Sequence, residues 1–104
     1  ALQAYRGVVD SVPDATIVRS RMAEVLFRQG KGDEAITVFR DGLDRSPTSP
    51  ILQRSLGSLL ERMGRNDEAV VAYRAYVRLV PNAPDARELE DRAAKLARLG
   101  ASKS

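Results

Sequence analysis

Two carboxylate pairs, Asp33-Glu34 and Asp67-Glu68, recur 34 residues apart. Paired carboxylates are what acid–base chemistry or a hard divalent cation would use. Their position at the start of an apolar-periodic stretch gives a plainer account, because acidic side chains in a first helical turn face the positive end of the helix dipole. The other candidates lack partners. Ser46, Ser49 and Ser102 have no histidine to activate them, since the chain contains none. Cysteine is also absent, which removes the strongest nucleophile and, with histidine, the usual ligands of zinc, haem and iron–sulfur clusters. Gly30-Lys31-Gly32 is too short for a phosphate-binding loop and lies between two helices. No catalytic residue, cofactor or metal site is assigned, and the chain is not read as an enzyme.

The 104 residues, 43% of them hydrophobic, suffice for one small domain or a short repeat array with a buried core. Seventeen basic and fourteen acidic residues give a net charge of +3, but the two signs alternate without a basic block, the pattern of a solvated helical surface rather than a nucleic-acid face. No apolar stretch approaches the roughly 20 residues of a membrane span. No apolar signal-peptide core follows Ala1 and the sequence starts inside a helix, so a piece of a longer protein is expected. The sequence does not choose between a bacterial cytoplasm and periplasm.

Self-similarity organises the chain. Pro13, Pro47 and Pro81 are spaced by 34 residues, as are Ala1, Ala35 and Ala69, the aromatics Tyr5, Phe39 and Tyr73, and Arg6, Arg40 and Arg74. Gly30 recurs as Gly64. A fixed period of this length signals a stack of helical units, each of which buries its apolar face only against its neighbours.

Each unit reads as two helices. Over 15–29 the apolar stripe is Val18, Met22, Val25 and Leu26, and Gly30 then ends the helix by adopting a left-handed conformation. Over 33–46 the stripe is Ala35, Ile36, Phe39 and Leu43, and Pro47 forces a turn. Residues 50–63 and 67–80 repeat the arrangement, with Asn66 as N-cap. A last helix over 84–99 keeps the stripe Ala86, Leu89, Ala93 and Leu96 and is otherwise charged. Including 2–11, six helices are expected.

The residues Leu56-Gly57, Leu60, Ala69, Tyr73 and Pro81, with Met22-Ala23, Leu26, Ala35, Phe39 and Pro47 one period earlier, resemble the pattern of the tetratricopeptide repeat (TPR). The resemblance implies an all-α fold: a right-handed superhelical stack of antiparallel helix pairs, with about two and a half repeats plus a C-terminal capping helix. It sets the array at 1–99, made of a truncated repeat's second helix (1–13), full repeats at 14–47 and 48–81, and a capping helix at 82–99, followed by a disordered tail at 100–104. Ala23, Gly57, Ala35 and Ala69 would sit where helix backbones approach closely. The bulky residue that often opens the first helix is replaced by Arg19, Gln53 and Arg87, so that contact is expected to be weaker or to be made by the arginine stem.

The resemblance also implies a function, a protein–protein interaction scaffold of a larger protein that holds a peptide or helix of a partner in a concave groove. The inward positions are Ile17, Ser20, Arg21, Glu24, Phe27 and Arg28, then Ile51, Arg54, Ser55, Ser58, Glu61 and Arg62, then Asp85, Glu88, Arg92 and Lys95. Ile17, Phe27 and Ile51 would supply apolar contact, and Arg28, Arg54, Arg62 and Arg92 would fork onto partner carboxylates. The family's carboxylate clamp for chaperone tails is absent: its positions hold Ser20, Glu24, Ser55, Asp85 and Leu89. Two alternatives stay open, an RNA-binding helical-repeat module and a regulatory or recruitment domain of a parent enzyme. In residues 1–13, Leu2, Tyr5 and Val9 would lack their usual partner helix, which predicts a homodimer through that helix, or fraying.

Overall fold

The computed structural model describes residues 16–102, and all regular structure among them is helical: α1 (Thr16–Arg28), α2 (Gly32–Arg45), α3 (Pro50–Arg62), α4 (Asn66–Leu79) and α5 (Ala86–Ser102). The expected helix over 2–11, and the dimer built on it, lie outside the described residues. The chain divides into two compact units, Ala1–Leu52 and Gln53–Ser104.

In the first unit α1 packs on α2. The buried residues of α1 are Arg19, Met22, Ala23 and Leu26, so its inward stripe is rotated from the expected one, and Val18 and Val25 are only half-buried. Arg19, which is 3% exposed, takes an inward place in that stripe. Its stem lies over Gly42 of α2, where an added Cβ would come within 2.8 Å of Arg19 Cδ. Its Nη1 donates to the Val38 carbonyl at 3.3 Å. The expected arginine contact thus exists, as a core packing element. On α2, Ala35, Ile36, Val38, Phe39 and Gly42 are buried, while Leu43 is half-buried.

In the second unit the core is Leu56, Leu59 and Leu60 of α3, Ala69, Val70, Ala72, Tyr73 and Tyr76 of α4, and Ala86, Leu89, Ala93 and Leu96 of α5. Gly57 is buried as expected, but the group that presses on it is the Tyr73 ring. The last helix differs from expectation at its end. It runs to Ser102, past the proposed start of a loose tail, and Gly100 lies so near α4 that a Cβ there would fall 2.6 Å from Asp67 Oδ1.

The connections explain the recurrent glycines. Gly30 and Gly64 have φ of +78° and +75° with open space around them, so backbone conformation alone selects glycine. The Lys31 amide donates to the Leu26 carbonyl at 2.8 Å and the Gly30 amide to Phe27 at 3.0 Å; Arg65 and Gly64 do the same to Leu60 and Glu61 at 2.9 and 3.0 Å. This crossed pair of bonds satisfies carbonyls that a helix end otherwise leaves open. Lys31 and Arg65 are also the N-cap residues of α2 and α4, so Asn66 lies inside the first turn and not at the cap as expected. Arg65 pairs with Glu68 at 2.7 Å, the acid of the first turn. Ser49 precedes Pro50 and its Oγ accepts from the Leu52 amide at 3.4 Å, which makes it a cap for α3.

Candidate partner-binding face

In the first unit, Ile17 is 68% and Ile51 52% exposed. Arg21 and Arg28 are exposed, and Ser20, Glu24 and Phe27 half-buried. Arg28 meets Glu24 one turn away at 3.4 Å. Phe27 therefore offers less contact area than the two isoleucines.

In the second unit, Arg54, Ser58, Arg62, Arg92 and Lys95 are exposed and Ser55 and Glu61 half-buried. Two ionic bridges organise these residues. Arg54 Nη1 donates to Asp85 Oδ2 at 2.9 Å, and the Tyr76 hydroxyl donates to Asp85 Oδ1 at 2.6 Å. Arg92 Nε donates to both oxygens of Glu61, at 2.9 and 3.2 Å, and the Tyr73 hydroxyl donates to Glu61 Oε1 at 2.8 Å. Each carboxylate is thus held between a phenol rising from the core and an arginine at the surface. The polarity reverses between them: α3 supplies the arginine in one bridge and the carboxylate in the other.

These contacts shift the acids in predictable directions. The hydrogen bond from Tyr76, then that from Arg54, outweighs burial and holds the Asp85 carboxyl below its ordinary range. Burial, followed by the bond to Glu61, pushes the Tyr73 phenol well up, with Arg92 opposing. The bond to Asp85, followed by burial, raises Tyr76.

Arg28, Arg54 and Arg92, all expected to meet partner carboxylates, already hold one within the chain. Asp33-Glu34 and Asp67-Glu68 occupy the first turns of α2 and α4. Among the described residues no group of three or more acidic, histidine or cysteine side chains could hold a metal, and no helix is long and apolar enough to cross a membrane. The phenols of Tyr73 and Tyr76 were not foreseen as part of this face; the 34-residue pattern marks Tyr73 only as a core aromatic.

The repeated glycine turns, the paired helices and the small core positions agree with the sequence profile of the tetratricopeptide repeat, which matches residues 1–50 and 21–84. The chain belongs to the tetratricopeptide repeat family. Such domains generally bind other proteins and are typically non-catalytic. Among solved structures, the crystal structure of MamA is similar to this chain in fold, with a TM-score of 0.65 at 18% identity over 91% of this chain. The match spans 61% of the MamA chain's length. No curated protein matches the sequence.

Proposed function

We propose that this tetratricopeptide-repeat chain is an interaction module that holds a peptide or helical segment of another protein through exposed helix faces. The observation that supports this most is the pair Ile17 and Ile51. They occupy the same position in successive repeats and leave 68% and 52% of their surface in water. A single exposed isoleucine needs no explanation, but the same apolar residue kept exposed at one repeat position fits a docking use. Ser20, Arg21 and Glu24 in the first unit, and Ser55, Ser58, Arg62 and Lys95 in the second, would add polar contacts. Affinity should be modest, about micromolar, because ordering a flexible segment offsets part of the contact energy.

Peptides selected on the chain from a random display library test this. Replacing Ile17 and Ile51 together with glutamate should abolish their binding, while Val71→Glu, at a residue of α4 that is 67% exposed, should not. The reverse result would place the docking surface elsewhere.

A further inference from the structure

The two bridges of the second unit bear on what kind of segment its face accepts, an inference that rests on the interaction role proposed above. Arg54 and Arg92 look at first like two cations awaiting an acidic partner. Each is already matched at 2.9 Å by a carboxylate, and each carboxylate is fixed from behind by a tyrosine hydroxyl. To swing onto a partner's acid, either arginine would have to leave Asp85 or Glu61, whose side chains are only 28% and 26% exposed, without its counter-charge. Breaking a partly buried pair in that way costs more than a surface pair returns. An incoming carboxylate would also approach Asp85 or Glu61 and be repelled.

The same geometry leaves the guanidinium groups as donors. Arginine carries five N–H bonds in a rigid fork. Arg54 places Nη1 on Asp85 and Arg92 places Nε on Glu61, while the two arginine side chains remain 51% and 46% exposed. Their other N–H groups are held in fixed directions on a surface whose local charge is cancelled twice, with opposite polarity. Ser58, exposed on α3 between residues 54 and 61, hydrogen-bonds the Tyr73 phenol and so belongs to the same network. The bridges are two turns apart on α3, about 10 Å along its axis. An acceptor that satisfies such donors without repulsion from the adjacent carboxylates is a neutral one, and the neutral acceptor carried by every peptide is its main-chain carbonyl.

We infer that the face built from Arg54, Ser58, Glu61, Asp85 and Arg92 holds an uncharged segment through its main-chain carbonyl groups and discriminates against acidic ones. Glu61 and Asp85 are then specificity-determining residues: they orient the arginines and mask their charge together.

The test is a random peptide display selection on the intact chain, followed by titration of the enriched peptides and of a hexaglutamate peptide at low and high salt. Selected peptides should be neutral across the contact region, with affinities that change by less than about twofold across the salt range. Hexaglutamate should not bind. In the Glu61→Gln/Asp85→Asn double variant, which keeps oxygen acceptors for the arginines but removes the masking charges, hexaglutamate binding should appear and weaken at least about tenfold as salt rises. Helical circular dichroism reports whether that variant folds, and the wild-type selection stands without it. Enrichment of acidic peptides by the wild type, with steep salt dependence, overturns this inference and leaves the interaction role intact. No enrichment at all overturns both.

Discussion

The ring of Tyr73 fills the space that a side chain at Gly57 would need: a Cβ at Gly57 would lie 2.7 Å from Tyr73 Cδ1 and 2.8 Å from Cε1. The contact joins α3 to α4, and the same tyrosine continues outward to Glu61 at 2.8 Å. A glycine in the middle of one helix thus sets where the phenol of another emerges. Gly57→Ala should destabilise the chain by about 1–3 kcal/mol, the usual cost of overpacking, and should displace the Tyr73 hydroxyl from Glu61. Urea titration gives the first and the tyrosine hydroxyl's alkaline titration the second. Adding Tyr73→Leu to Gly57→Ala should cost less than the sum of the two single changes, because the clash is then gone.

Gly30 and Gly64 obey a different constraint. No atom lies within 4 Å of a Cβ built at either, but their φ values are +78° and +75°. L-alanine at Gly64 should therefore cost about 1–2 kcal/mol through backbone strain alone. D-alanine, introduced by chemical synthesis, should instead stabilise by about 0.4–1 kcal/mol, since it restricts only the unfolded chain. Equal melting temperatures for the two epimers would show that the left-handed turn does not persist in solution.

Arg19 gives a third expectation. With the residue 3% exposed and its stem against Gly42, Arg19→Ala should cost about 2 kcal/mol, at the lower end for a large buried side chain cut to alanine. Arg19→Met, which keeps an unbranched apolar stem, should recover most of that loss in the same denaturation assay. If Met and Ala behave alike, polar contacts of the guanidinium hold the position and the packing account is wrong.

Stability should also depend on pH at both extremes. Tyr73 and Tyr76 have phenols raised above the ordinary 10.0, so their contribution is complete below pH 10 and is lost as pH rises beyond it, where the unfolded chain releases those protons first. Asp85 is lowered from 3.8, so its contribution is complete above that value and is lost as pH falls through the folded-state pKa. Denaturant midpoints should be level with respect to these three groups between about pH 5 and 9 and fall outside that window. Tyr76→Phe should move the Asp85 carboxyl titration upward when followed by carbon NMR, and an unmoved curve would mean the hydrogen bond is not formed.

The sequence carried much of this fold because its strongest signals are backbone signals. Gly30, Gly64, Pro47 and Pro81 mark connections by what their φ angles permit, and Ala35 and Ala69, both 0% exposed, mark contact positions by size alone. Periodicity placed Ala86, Leu89, Ala93 and Leu96 correctly, and Leu99, equally apolar but off that stripe, is 44% exposed. It misplaced the stripe of α1, where an arginine had to be counted as polar although its methylene stem is what packs. The face itself was less legible. Its positions followed from the repeat, but the pairings Arg54 to Asp85 and Glu61 to Arg92 join residues 31 apart, and no local spacing says that two opposite charges will meet across helices. Nothing in the sequence therefore shows that Arg54 and Arg92 already face a carboxylate of the same chain.

Lys31 and Arg65 each finish one helix and begin the next, their amide closing the helix behind and their position capping the helix ahead. No residue in these turns is dispensable, so a single inserted or deleted residue at 30–32 or 64–66 would undo two helix ends at once. Insertions should be better tolerated at 47–48 and 81–84, where successive helices are joined without a shared residue and neither the Ser49 cap nor Asp85 is touched. Anyone lengthening this array, or grafting a sequence tag into it, should cut there.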